Sequence, residues 1–213
     1  MNSLNHQLDQ QREGLIFVIS APSGAGKTSL VKSLLEDSER LGVCISHTTR
    51  SPREGEINGQ AYHFVDKAQF ELNASKGQFI EYAKVFDHYY GTSKKEVKRI
   101  VESGSDVILE IDWQGAKQVM ELFAKNTVSI FIVPPSIDAL KERLTKRGKD
   151  SEEVIRKRLE KSKWEIKEYD CYDYLLINDD FEYTLSNLQA IIQGERIRHQ
   201  KYQVEAFIQG KLL

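Results

Sequence analysis

Long apolar runs are missing from this chain, since no stretch of its 213 residues approaches the ~20 consecutive apolar positions of a helical membrane span. No membrane partner is expected. Cysteine is scarce too: Cys44 and Cys171 are the only two, far apart, with neither CxxC spacing nor a histidine set beside them. That gives no support to a disulfide framework or a zinc site, and a reducing compartment, the cytoplasm, is the expected setting. An excess of one charge is also lacking. Thirty basic residues face 32 acidic ones, the net charge is −2 and the pI is near 6.2, so nothing marks a dedicated nucleic-acid binder. Residues 1–13 are polar, Gln- and Asn-rich and without an apolar signal-type segment, and they are expected to form a flexible tail.

What is present fits an ordinary globular domain. With 40% hydrophobic residues, a chain of this length can bury roughly 70% of its unfolded surface, enough for one core and a small inserted subdomain. Leu15-Ile16-Phe17-Val18-Ile19 is a continuous β-branched and aromatic run that reads as a parallel strand buried on both faces. Val107 to Ile111, Val128 to Val133 and Tyr174 to Ile177 repeat the signature. Helical spacing follows from Lys27 to a close at Gly42, and recurs around 93–103, 114–125, 136–147, 151–169 and 183–207. Alternation of strands and helices predicts an α/β fold of three layers with a central parallel sheet. The stretch 50–92 breaks this rhythm with short alternating segments, Tyr62 to Val65 and Phe79 to Tyr82, and reads as a mixed α+β, partly antiparallel insertion. The polar, glycine-containing segment Thr145 to Ser151 is a candidate mobile lid between two helices. The sequence leaves the oligomeric state open.

Ser20-Ala21-Pro22-Ser23-Gly24-Ala25-Gly26-Lys27-Thr28 lies between the first strand and the first helix, the context of a phosphate-binding P-loop. Gly24 and Gly26 let successive N–H groups turn into one hollow, and the helix N-terminus adds its partial positive charge. Lys27 would then reach the β- and γ-phosphates of a bound nucleoside triphosphate, and the Thr28 hydroxyl would meet Mg²⁺. Asp112, at the end of a buried strand, is placed to hold that Mg²⁺ through water, with Glu110 as a second candidate. A cap on the helix that begins at Trp113 is the other reading of Asp112. Arg50 and Arg53, three apart across Pro52, can aim two guanidinium forks at one phosphate or form a solvated basic loop. Arg143 and Arg147 share one helical face beside the candidate lid, and Arg158 lies one helix later.

Taken together, residues 20–27, Ser46 to Gly55, Phe79-Ile80-Glu81, Tyr89 to Thr92, Ile111 to Gly115 and Ile177 to Asp180 resemble the guanylate kinases, from about Leu15 to His199. The resemblance implies a P-loop NTPase core at 14–49 and 93–213, a GMP-binding insertion at 50–92, and a lid at about 143–158. It implies transfer of the ATP γ-phosphoryl group to GMP, so that ATP, ADP, GMP and GDP are the expected partners and Mg²⁺ the cofactor. It assigns ATP contacts to Ala21, Pro22, Ser23, Gly24, Ala25, Gly26, Lys27, Thr28 and Asn178. The GMP phosphate falls to Arg50, Arg53, Tyr62 and Tyr90, and the guanine to Ser46, Glu81 and Thr92 with Asp112 close by. Lys27, Arg50, Arg143, Arg147 and Arg158 are the implied catalytic cations.

Base chemistry supports the Glu81 assignment independently. Guanine presents N1–H and N2–H side by side, which one carboxylate can accept together, whereas adenine presents an acceptor at N1. Read without the resemblance, Glu81 in an alternating strand is a solvent-facing residue, and Tyr62 and Tyr90 are packing residues. Glu110 stands where the family usually has Asp, and Ala21 where many members have Gly. Guanylate-kinase-like scaffolds that bind proteins should show a damaged P-loop or acceptor site, and neither is seen. A GTPase switch would need an NKxD-type guanine motif, which the sequence lacks.

Overall fold

The computed structural model describes residues 12–36, 38, 40–85, 87–146 and 151–211, with the side chains of 202, 203, 206, 207 and 211 excepted. In chain order the elements are β1 (Ile16–Ser20), α1 (Lys27–Glu36), β2 (Leu41–Val43), β3 (His47–Thr48), β4 (His63–Phe64), α2 (Lys67–Ser75), β5 (Phe79–Val85) and β6 (His88–Ser93). They continue with α3 (Lys94–Glu102), β7 (Asp106–Glu110), α4 (Trp113–Leu122), β8 (Thr127–Val133), α5 (Ile137–Lys146), α6 (Glu152–Ile166), a 3₁₀ turn at Tyr169–Cys171, β9 (Tyr174–Ile177) and α7 (Phe181–Lys211).

Five strands form a parallel sheet in the order β2-β7-β1-β8-β9. Every residue of β1 is buried, because strands flank it on both edges and helices cover both faces. On one face Phe17, Ile19 and Ile130 pack against Leu30, Val31 and Leu34 of α1 and Leu185, Leu188 and Ile192 of α7. On the other, Ile16, Val18 and Leu109 meet Val97 and Ile100 of α3 and Ala116 and Val119 of α4. Each fully buried aliphatic or phenyl side chain contributes about 1.5–3 kcal/mol, so these layers fix where the C-terminal ends of β1 and β7 emerge. A small separate cluster, Leu140, Leu144 and Ile155, joins α5 to α6.

The second sheet has the order β4-β3-β6-β5 and mixes one parallel pairing with two antiparallel ones. Its strands β3 and β4 are two residues each, and Phe70 of α2 stacks on Phe79 and Tyr89 to close one face. Asp66 caps α2 by accepting from the Gln69 amide.

Two sequence expectations change here. The first helix ends at Glu36 rather than running to Gly42, because Arg40 takes a left-handed turn (φ 55°) and Leu41–Val43 then pairs with Asp106–Ile108 as a strand. Residues 1–11 of the expected tail lie outside the described residues, but Arg12 is buried, donating to the fully buried Asp106 at 2.9 Å. Asp106 also accepts from the Leu15 amide at 2.8 Å and from Arg196 of α7 at 2.7 Å. As for the lid segment, Thr145 and Lys146 end α5 and Ser151 caps α6, while 147–150, Arg147 included, lie outside the described residues.

Candidate active site

The P-loop begins where β1 stops, at the C-terminal end of the central strand of the parallel sheet. Gly24 and Gly26 have φ of +95° and +98°, which L side chains rarely adopt, and the amide of Ala25 turns back to Pro22 O at 3.1 Å. No acid occupies the first turn of α1, so its positive end stays open to an anion. The loop is held from behind: Asn178 Nδ2 donates to Ala25 O at 2.7 Å, and Arg143 bridges Ala25 O (3.3 Å) and Asn178 O (2.7 Å).

Lys27 Nζ reaches Ile111 O at 3.5 Å, and burial pushes its ammonium below the ordinary lysine range, against the opposing pull of Glu110 and Asp112. Thr28 Oγ1 donates to Glu110 Oε2 at 3.0 Å, so a hydroxyl and a carboxylate oxygen lie together at the P-loop end. Hard oxygen donors of this kind suit Mg²⁺. Among the described residues no group of three or more His, Cys, Asp or Glu forms a metal cage, so such a cation would take its other ligands from phosphate and water. Asp112 makes the cap of its second reading, its Oδ1 accepting from the amides of Gln114 and Gly115 at the start of α4. It still lines the cleft.

A cleft of about 680 Å³ opens between the two sheets, and Lys27, Arg50, Arg53, Glu81, Asp112 and Arg158 all face it. Ser46, Tyr62 and Tyr90 line the same space. Arg50 lies over the rings of Tyr62 and Phe64, 5.4 and 5.7 Å from their centroids, and its NH2 donates to both Glu56 oxygens at 2.9 and 2.8 Å. Glu56 also accepts from the Arg53 amide at 2.7 Å and so shapes the turn between the arginines. Sequence reasoning passed over Glu56, although an acid three residues beyond Arg53 in a turn was a signal to test.

Glu81 is not the solvent-facing residue that strand alternation suggests. A register shift in β5 between Phe79 and Glu81 places Ile80 and Glu81 side by side in the interior, where Glu81 is 3% exposed. Burial raises its carboxyl to about 7, while the Thr92 hydroxyl, donating to Oε1 at 2.5 Å, opposes the shift. Thr92 is fully buried and spends its one proton on Glu81, so it supports the carboxylate from behind instead of lining the cleft. Ser46, 3.4 Å from Thr92, is the hydroxyl that faces the open space. Asn178 likewise stands behind the P-loop rather than in the cleft. Lys161 and Glu165 of α6 enter the site unforeseen, with Lys161 Nζ 3.3 Å from Glu165 and burial raising the Glu165 carboxyl. Nothing in their helical pattern distinguished them from a solvated pair.

The guanylate kinase family model matches residues 13–195. The guanylate kinase of Methylococcus capsulatus is 52% identical over 189 residues, covering 89% of this chain and 92% of that protein. That of Alkalilimnicola ehrlichii is 51% identical over 185 residues, covering 87% and 91%. Among solved structures, the crystal structure of guanylate kinase from Anaplasma phagocytophilum matches with a TM-score of 0.80 at 32% identity, covering 94% of this chain and 96% of that one. A P-loop and a buried carboxylate thus face one cleft in a chain matched over most of its length by that family, and the chain belongs to the guanylate kinase family.

Proposed function

We propose that this chain is an ATP:GMP phosphotransferase, which moves the γ-phosphoryl group of ATP to the phosphate of GMP to give ADP and GDP, accepts dGMP as well, and serves guanine nucleotide synthesis and recycling. The observation that carries this reading is one cleft with a P-loop on one wall and a buried, base-sized acceptor group, Glu81, on the other. Glu81 would accept N1–H and N2–H of guanine, Ser46 would donate to O6, and Arg50, Arg53, Tyr62 and Tyr90 would hold the acceptor phosphate. Residues 50–92 would form the acceptor-binding body and 143–158 the lid.

In the reaction an oxygen of the GMP phosphate forms a bond to the γ-phosphorus as the bond from that phosphorus to the ADP oxygen breaks, in line. The attacking oxygen is already anionic, so no general base is required. Lys27 and the P-loop amides orient the β- and γ-phosphates, and Arg143 and Arg158, joined by Arg147, would offset charge on the group in flight. Mg²⁺, held beside Thr28 and reached through water by Glu110 or Asp112, would supply further charge neutralisation when bound. Closing the cleft excludes water that would otherwise hydrolyse ATP. A cytoplasmic setting is supported by Cys44 and Cys171, which are both free thiols.

Incubating the protein with Mg²⁺-ATP and each of GMP, dGMP, AMP, CMP and UMP, and following ADP release, tests the reading. Turnover with GMP and dGMP that disappears in Lys27→Ala is expected. Equal rates with AMP, or none with any acceptor, would overturn it.

A further inference from the structure

Accepting Glu81 as the group that reads the base, its placement still needs explaining, because the strand that carries it belongs to one sheet while the wall it leans on belongs to the other. β5 is the outer strand of the second sheet, with β6 on one side only. Its other side meets α4, the helix that leaves the parallel sheet after β7.

Two residues of α4 make that meeting specific. Gly115, buried in the first turn, leaves room for the Glu81 carboxylate: a Cβ at 115 would stand 2.3 Å from Glu81 Oε2 and 2.9 Å from Cδ. No side chain tolerates such an approach, and Gly115 has no left-handed φ to demand glycine for another reason. One turn further on, Gln118 uses its side-chain amide as a substitute strand: Oε1 accepts from the Tyr82 amide at 3.3 Å, and Nε2 donates to Tyr82 O at 2.9 Å. The pairing satisfies the open edge of β5 at the residue next to Glu81. The register shift between Phe79 and Glu81 turns the carboxylate toward the same helix. Thr92 then fixes the remaining oxygen.

We infer that Gly115 and Gln118 are positioning residues for base recognition, which act through Glu81 by holding the second sheet's outer strand against α4 so that one carboxylate reaches both guanine donors. This inference rests on the proposed reaction. It adds that discrimination is set from the parallel-sheet side of the cleft as well as from the strand that bears the acid.

Gly115→Ala gives the test, since alanine favours a helix over glycine and its methyl must displace the carboxylate. The KM for GMP should rise about tenfold or more, with the KM for ATP unchanged. IMP keeps N1–H but lacks the 2-amino group, so the preference for GMP over IMP should shrink in step. Gln118→Met, of similar length and without the amide, should raise the GMP KM by a smaller factor, about threefold, again sparing ATP, and it tests the same coupling if Gly115→Ala does not fold. In a Glu81→Ala background neither substitution should change the remaining GMP KM, because the group they position is gone. Unchanged GMP kinetics and GMP-to-IMP preference in both single variants would overturn the inference, as would effects of the same size in the Glu81→Ala background. Failure of the proposed reaction shows itself separately, as absence of GMP turnover in the unaltered protein.

Discussion

The two sheets hold their ligand-facing groups by different means. In the parallel sheet, position starts from burial: β1 and β7 are enclosed on both faces, and the P-loop and Asp112 emerge where those strands end, with Asn178 and Arg143 tying the loop from behind. In the second sheet, position follows from individual polar contacts. Glu81 depends on a register shift, a threonine hydroxyl and the glycine of α4 packed against it, and Arg50 on Glu56 and two aromatic rings. The strand ends that carry the phosphate side are therefore robust to small changes of side chain, whereas the acceptor side is sensitive to them. That suits the proposed roles, a donor site for a triphosphate and an acceptor site that refuses other bases.

The largest expected effect lies on the phosphate side. Lys27→Ala should lower kcat by about 10³ or more with every acceptor, since in the proposed reaction it removes a charge acting on the transferring group whichever base is bound. A loss confined to GMP would break the contrast. Next is Asp106, fully buried between two guanidinium groups in the framework of the parallel sheet, whose replacement by Ala should destabilise the fold by about 3–5 kcal/mol in urea titrations. A change below about 1 kcal/mol would show that burial alone holds that sheet together.

On the acceptor side, Glu81→Gln would place an amide where, in the proposed complex, guanine offers two donors. kcat/KM for GMP should fall about 10²-fold while the KM for ATP stays put, and AMP should gain relative to GMP. An equal loss for ATP would mean that the two halves are not separable.

The smallest effect is a pH dependence. With its carboxyl raised to about 7 by burial, Glu81 keeps its proton in the folded chain over the range where the unfolded chain has already lost it. Its contribution to stability therefore falls as pH rises from the ordinary value of 4.5 to about 7. GMP binding should move the other way, with KM dropping several-fold from about pH 6 to about pH 8 as the carboxylate becomes available. The GMP phosphate also titrates near ~6, so the profile of Glu81→Gln is the reference, and a ratio of the two that is flat with pH would sink the assignment.

How much of this was legible in the sequence divides along the same line. β1, the P-loop and β7 read directly, because a strand buried on both faces must be a continuous apolar run and Gly24 and Gly26 mark the turn. β2 was hidden, since Leu41 falls at helical spacing from Leu34 and only the left-handed turn at Arg40 reveals the break. β3 and β4 are two residues each, too short for any period to register. Glu81 was assigned a role by resemblance, but its burial was not readable, because α4 covers β5 from a distance in sequence and the register shift breaks the alternation. Asp112 was left open between metal and cap, and the bonds to Gln114 and Gly115 supply the cap.

The carboxylate of Asp106 has one further consequence, for the order in which the chain is made. Arg12 precedes it by 94 positions and Arg196 follows it by 90. During synthesis the first partner is waiting when β7 appears, but the second arrives only after the remaining strands and about half of α7 have been produced. At the steady rate of about 5–20 residues per second, that interval lasts several seconds, in which the buried acid has Arg12 beside it but not yet Arg196. The final lock on the fold is thus a late event in translation. Stalled ribosome-bound chains extending well past residue 196 should resist protease better with Arg196 than with Arg196→Ala, and equal digestion of the two would remove the idea.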